Sequence, residues 1–213
     1  MSVNDLMRKA AGVGDAELLK ACLDNPACDP MSKDGSGMTV LMWAASQGHL
    51  ICAQMALPQS NEFEKTERGR TALMYAAALG NASCVQLLMA KGAPLIQDSM
   101  GLTALMHAAG NGHEPCVDLL IPVSNTLEKD KDGMIALMWA AISGSSSCVE
   151  ILLPVSAIGC TNKKGSTAED MARHRSLFSN MERIQAYALA ASEALDLEHA
   201  AGPGQIKGDR LRV

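Results

Sequence analysis

A period of 32 residues constrains this chain more than any other feature. Glycines recur at Gly37, Gly69, Gly101, Gly133 and Gly165, and a second set follows at Gly48, Gly80, Gly112 and Gly144. Cysteines keep the same step at Cys52, Cys84, Cys116 and Cys148. Between the glycine sets the text nearly repeats: Thr39-Val-Leu-Met-Trp-Ala-Ala45, Thr71-Ala-Leu-Met-Tyr-Ala-Ala77, Thr103-Ala-Leu-Met-His-Ala-Ala109 and Ile135-Ala-Leu-Met-Trp-Ala-Ala141. A fixed period of this size marks a stacked repeat array, in which each unit buries its apolar face against its neighbours.

Each unit reads as two short helices and an extended finger. In the copy 69–100, Gly69 permits a tight turn. Thr71 is a good N-cap, and Ala72 to Leu79 is a run of strong helix formers. Gly80 stops that helix in the left-handed cap position. A second helix is expected from Ala82 to Ala90 and ends at Gly92, with a connector from Pro94 to Met100 leading to the next glycine. Helices this short are not stable alone, and the paired alanines let neighbours approach closely. The in-phase Leu-Met-x-Ala-Ala leads to the expectation that the seams between repeats are purely apolar. Leu57-Pro-Gln-Ser60, Ile121-Pro-Val-Ser124 and Leu153-Pro-Val-Ser156 punctuate the second helices, because proline cannot continue a helix.

Composition excludes several function classes. The net charge is −5, and residues 37–164 hold eight Lys and Arg against ten Asp and Glu. No basic stripe for nucleic acid is present. No apolar run approaches the roughly 18 residues of a membrane span, and the N-terminus lacks an apolar signal core. A cytoplasmic protein is the expectation. The in-phase cysteines read as small buried apolar residues, reduced rather than paired. The glycines are spaced by 32 and 11 and form no phosphate cradle. His107 and His113 occupy positions that other copies fill with Trp, Tyr, Asn or Ser, and Cys116 lies in the apolar cysteine row where a thiol is inert, so neither a metal site nor a Cys–His nucleophile is expected. No cofactor is expected.

The recurrent Gly-x-Thr-Ala-Leu-Met-x-Ala-Ala-x-x-Gly followed by Cys-Val-x-x-Leu-Leu resembles the ankyrin repeat, over about residues 4 to 175. The uniform wording is similar to lineage-expanded ankyrin arrays. Three departures stand out. The usual Pro of the family's Thr-Pro-Leu-His motif is Val40, Ala72, Ala104 or Ala136, and the usual His is Met42, Met74, Met106 or Met138. The period is 32 where the family's is about 33, which shortens each finger by one residue.

The resemblance implies an all-α solenoid of about six stacked helix–turn–helix units with short extended fingers. The expected organisation is a degenerate capping repeat at 1–36, four repeats at 37–68, 69–100, 101–132 and 133–164, a capping repeat and helix at 165–200, and a disordered tail at 201–213. The first repeat lies 34 residues ahead of its match, since Ala10-Ala11 aligns with Ala44-Ala45. Arg183 to Leu197 has helical composition suited to covering the end of the stack.

Function then rests on surface positions. The column Trp43, Tyr75, His107 and Trp139 holds both tryptophans in a chain with only 3% aromatic residues. It reads either as a recognition stripe, since Trp and Tyr are favoured hot spots, or as packing between repeats. Finger tips vary between copies: Thr66-Glu-Arg68, Asp98-Ser-Met100, Asp130-Lys-Asp132 and Asn162-Lys-Lys164. So do the residues after the turn glycines: Met38, Arg70, Leu102, Met134 and Ser166. Such variation reads as freedom from packing. The candidate partner-binding residues are therefore Trp43, Tyr75, His107, Trp139, Arg70, Leu102, Met134, Arg68, Met100 and Asp132. The resemblance implies a non-catalytic module that binds a partner protein through its concave groove and finger tips, as a scaffold; a monomer is expected. Two alternatives are an ankyrin region regulating, or an adaptor for, an enzyme such as a kinase, and a self-associating structural protein.

Overall fold

The computed structural model describes residues 2–90 and 95–201, without the side chains of 195–201. Twelve α-helices and no β-strand occur among the described residues. They pair along the chain: α1 (Val3–Val13) with α2 (Ala16–Leu23), α3 (Val40–Gln47) with α4 (Leu50–Ala56), α5 (Ala72–Ala78) with α6 (Ala82–Met89), and α7 (Ala104–Gly110) with α8 (Glu114–Leu120). The series continues with α9 (Ala136–Ser143), α10 (Ser146–Leu152), α11 (Ala168–His174) and the long α12 (Phe178–Ala201). Single 3-10 turns at Leu57–Gln59, Ile121–Val123 and Leu153–Val155 follow the second helices where the Pro-containing punctuation predicts a break. The expected stop at Gly92 lies outside the described residues, as does the expected tail apart from Ala201.

First helices stack on first helices, from α1 to α11, and second helices on second helices. Alanine sets the spacing of the first layer: Ala44, Ala45, Ala76, Ala77, Ala108, Ala109, Ala140 and Ala141 are all fully buried. With no side chain beyond Cβ between them, these helices approach one another more closely than the second helices do. The first helices and the fingers share one side of the array, the side that the ankyrin resemblance makes the inner one.

The core is one continuous cluster running through every repeat. Met42, Met74, Met106 and Met138, at the position of the family's usual histidine, are at most 2% exposed. Each such side chain contributes roughly 1.5–3 kcal/mol of burial. Thr39, Thr71 and Thr103 cap their helices, their hydroxyls accepting from the amides of Met42, Met74 and Met106 at 3.3–3.4 Å. The cysteine column is buried, and burial pushes the Cys116 thiol up to about 11. α12 packs on α10 and α11, burying Ile184 and pairing Arg183 with Glu150.

The seams are not purely apolar. Asn81 Nδ2 donates to the carbonyls of Ala45 and Ser46 in the preceding repeat, at 2.9 and 2.8 Å. His113 Nε2 meets the Ala78 carbonyl at 3.0 Å, and Asn180 Nδ2 donates to Ala141 at 3.1 Å. A first helix leaves its last carbonyls without intrahelical partners, and the next repeat supplies donors. A second ladder runs down the fingers. Lys33 Nζ donates to the Lys65 carbonyl (2.9 Å), Lys65 Nζ to Gln97 (3.0 Å), Gln97 Nε2 to Lys129 (3.2 Å) and Lys129 Nζ to Thr161 (3.3 Å). The seams therefore depend on polar side chains as well as on burial.

Candidate partner-binding face

The inner side of the array is built from a finger and a ring in each repeat. A finger turn closes when one residue donates its amide to the carbonyl four residues on: Asp34 to Met38, Thr66 to Arg70, Asp98 to Leu102, Asp130 to Met134 and Asn162 to Ser166. In the aspartate fingers, Oδ1 then accepts two further amides, from Ser36 and Met38, Met100 and Leu102, or Asp132 and Met134, at 2.8–3.0 Å. Neighbouring fingers are stitched by backbone bonds: Ser99 donates to the Arg68 carbonyl, Lys131 to Met100 and Lys163 to Asp132. An added Cβ at Gly69, where φ is +73°, would lie 2.7 Å from the Ser99 nitrogen, so only glycine lets these turns stack.

The second oxygen of each aspartate holds the ring nine residues on. Asp34 Oδ2 accepts from Trp43 Nε1 at 2.8 Å, and Asp130 Oδ2 from Trp139 Nε1 at 3.0 Å. Asp98 Oδ2 is 3.0 Å from His107 Nε2. Tyr75 has no ring N–H, and its finger carries Thr66 instead; at the last finger Asn162 stands nine residues before Met171. The two indoles also rest on glycine, since a Cβ added at Gly12 or Gly110 would lie 3.5 or 3.3 Å from the Trp43 or Trp139 ring. Trp43 and Trp139 are thus half-buried and fixed in orientation, while Tyr75 is half-buried without a bond from its finger.

Several sequence-derived candidates take different places. His107 is only 6% exposed, because its ring is drawn inward onto Asp98, and it offers no contact surface. Met134 and Met38 are 8% exposed and pack in the core. Thr66, Asp98, Asp130 and Asn162 vary between copies yet are buried within their fingers. Their variation reflects a changing ring partner and not freedom from packing. Arg68, Met100 and Asp132 are exposed, while Arg70 and Leu102 are half-buried. Five positions thus join the three rings along one face.

Electrostatics at the centre of this face follow from burial. Burial raises the Asp98 carboxyl, but hydrogen bonds from the Leu102 and Met100 amides and from His107 outweigh it, holding the pKa below the usual carboxylate value. Asp34 is likewise held low: burial raises it, and the bonds from Met38, Trp43 and Ser36 prevail. Burial lowers the pKa of His107, with the nearby Arg70 charge adding to the effect and Asp98 opposing it. Arg70 lies 6.0 Å above the Tyr75 ring centroid, within cation–π range.

Sequence reading missed one feature of this face. A cleft of about 460 Å³ opens between α1 and α3, lined by Lys9, Gly12, Val13, Asp34, Trp43 and Gln47 among others. Arg8 and Asp5 also line it; Arg8, 8% exposed, donates to Asp5 Oδ1 at 2.6 Å and to Ser32 Oγ at 2.8 Å. The irregular spacing of the first repeat takes these residues out of phase with the rest, and only Gly12, facing Trp43 as Gly110 faces Trp139, hints at the alignment.

The face sets half-buried aromatic rings beside charged side chains. The histidines are engaged within the fold, His107 with Asp98 and His113 with a backbone carbonyl. Among the described residues no helix is long and apolar enough to cross a membrane.

Comparison with known proteins places the fold. A chain in the structure of the predatory endopeptidase Bd0816 of Bdellovibrio bacteriovorus in complex with immunity protein Bd3460 is 26% identical, with a TM-score of 0.72, covering 84% of this chain and 96% of that one. An ankyrin repeat domain (ABAYE2397) of Acinetobacter baumannii AYE is 26% identical, with a TM-score of 0.73 and coverage of 85% and 97%. The human ASB11 ankyrin repeat domain shares the fold at 22% identity, with a TM-score of 0.76 and coverage of 85% and 82%. No curated protein matches the sequence. The family model for ankyrin repeats (three copies) matches residues 6–97 and 91–166, and the chain belongs to the ankyrin-repeat family.

Proposed function

We propose that this protein is a non-catalytic module that binds a partner protein through its inner face, using Trp43, Tyr75 and Trp139 with Arg68, Arg70, Met100, Leu102 and Asp132. The observation that carries this reading is the locking of the half-exposed Trp43 and Trp139 rings by Asp34 and Asp130. A ring whose N–H is already bonded and whose face rests on the preceding helix loses little freedom on binding, which lowers the cost of association. Trp, Tyr and Arg are also the residues that dominate binding energies at interfaces. Ankyrin-repeat domains are generally protein-interaction modules, which agrees. The cytoplasm is the compartment that fits seven free thiols.

A second reading, favoured by the likeness to a chain in the endopeptidase–immunity protein complex, is a regulator whose partner is an enzyme. Both readings share the same face.

Capture of partners from the native cell on the immobilised full chain tests the reading, with Tyr75→Ala/Trp139→Ala as the paired bait. Partners retained by the parent and lost by the folded variant are expected; removing one aromatic hot spot typically costs about 2 kcal/mol or more. Equal capture by both baits would remove the face from consideration. A light-scattering mass of a dimer or larger, abolished by the same variant, would instead favour self-association.

A further inference from the structure

We infer that the centre of this face holds a site for a single acidic side chain, Asp or Glu, on an extended segment of the partner protein, received by Arg68 and Arg70. The inference rests on the proposed partner-binding function. A cleft of about 350 Å³ lies between the second and third fingers, lined by Arg68, Arg70, Asp98, Ser99 and Met100. It brings together two guanidinium groups and one carboxylate. That carboxylate is already engaged: Oδ1 takes the Met100 and Leu102 amides at 2.8 and 3.0 Å, and Oδ2 takes His107 at 3.0 Å. Arg70 Nε comes only to 3.6 Å of Oδ2, outside hydrogen-bond range, and is shielded from solvent without a partner among the described residues. No hydrogen bond among the described residues involves the guanidinium of Arg68. The cleft therefore holds an exposed guanidinium that the fold leaves without a partner and a buried Arg70 Nε with an ion pair but no hydrogen-bond acceptor, and buried donors without such acceptors are uncommon.

The repeat architecture shows that this is a local provision. Arg70 stands where the other copies have Met38, Leu102, Met134 and Ser166. The finger that carries it has Thr66 where three others have aspartate; the turn's one carboxylate, Glu67, is exposed and forms no ion pair among the described residues, and Asp98 of the next finger pairs with Arg70 only at 3.6 Å. The Arg70 guanidinium carbon lies over the Tyr75 ring, 6.0 Å from the centroid. A planar fork of donors matches a carboxylate through paired hydrogen bonds. Met100, 56% exposed, and half-buried Leu102 flank the cleft, so the acidic residue is expected beside an apolar one. The net charge of −5 disfavours polyanions and selects a singly charged group.

The probe is a displayed library of random peptides about twelve residues long, selected on the full chain and counter-selected on Tyr75→Ala/Trp139→Ala to retain peptides that use the face. Recovered peptides are expected to carry Asp or Glu next to an apolar residue. Synthetic versions should bind at least tenfold more weakly when the acid is changed to Gln, and at least tenfold more weakly to Arg68→Gln/Arg70→Gln. Raised salt should weaken binding, while Lys163→Gln/Lys164→Gln should leave it unchanged. Arg68→Gln alone, on an exposed side chain, serves if the double variant unfolds. Face-dependent peptides that lack an acid, or that bind the arginine variants equally, overturn the acidic site and leave the proposed function standing. Recovery of no face-dependent peptide overturns both. A phosphoserine version that binds more tightly than the Glu version overturns the choice of a singly charged group.

Discussion

Trp139 donates its indole N–H to Asp130 Oδ2 at 3.0 Å, while the other oxygen of that carboxylate holds the amides of Asp132 and Met134. One side chain thus shapes a finger and fixes the ring beside it. Hydrogen bonds to a charged group contribute about 1.5–3 kcal/mol. Asp130→Ala, which removes all three, is expected to cost about 3 kcal/mol in urea unfolding, and Trp139→Phe, which leaves the turn intact, about 1–2 kcal/mol. The double variant should lose less than the sum, by roughly 0.5 kcal/mol or more. Additive losses would show that finger and ring are independent.

Gly69 and Gly165 hold the same place in their repeats and the same left-handed conformation, at φ +73° and +78°. Their surroundings differ. A Cβ on Gly69 meets the Ser99 nitrogen of the next finger at 2.7 Å, whereas nothing lies within 4 Å of one on Gly165. Gly165→Ala therefore isolates the backbone cost of about 1–2 kcal/mol. Gly69→Ala is expected to lose at least about 1 kcal/mol more, since backbone must move to admit the methyl group. Thermal unfolding of the two variants side by side checks the comparison; equal losses would contradict finger stacking.

Asn81 bridges two repeats through the carbonyls of Ala45 and Ser46. Asn81→Ala leaves those groups without their donor and is expected to cost about 1–3 kcal/mol. His49 and His113 occupy the same position in neighbouring copies, so Asn81→His should lose less than Asn81→Ala. If both substitutions leave the urea midpoint where it was, the seam is apolar after all.

The periodic text made the helices, caps and buried Leu-Met-x-Ala-Ala core legible, because packing repeats wherever the backbone repeats. It misled at the fingers. Thr66, Asp98, Asp130 and Asn162 differ from copy to copy and read as unconstrained, yet each is buried. The constraint is pairwise: aspartate precedes Trp43, His107 and Trp139 by nine residues, and changes to Thr or Asn where Tyr75 or Met171 offers no ring N–H. A column inspected alone shows variation; two columns inspected together show compensation. Sequence reading passed over the ladder of Lys33, Lys65 and Lys129, whose acceptors are backbone carbonyls and carry no side-chain signature. Exposure of the rings was open in the sequence, because the same residue types serve cores and interfaces.

His107 makes stability depend on pH in a definite direction. Its folded pKa is depressed below the ordinary 6.5, first by burial and then by Arg70, with Asp98 only partly opposing them. As pH falls, the unfolded chain takes up this proton near 6.5, and the folded protein does so only at lower pH. Between those values the unfolded state holds more protons, so stability is full above about 6.5 and declines as pH drops towards the folded pKa. Asp34 and Asp98 act further down. Their folded pKa values are also depressed, so the stability they confer is present above the unfolded value of about 3.9 and is lost as pH falls through the folded ones. The urea midpoint of the parent is therefore expected to fall between about pH 7.5 and pH 5, and to fall less in His107→Gln, which cannot take up the proton. His49, His113, His174 and His199 are present in both proteins, so the difference between the two slopes isolates His107. A parent whose midpoint is flat over this range, or a variant that declines as steeply, would show that His107 is not held neutral in the folded state.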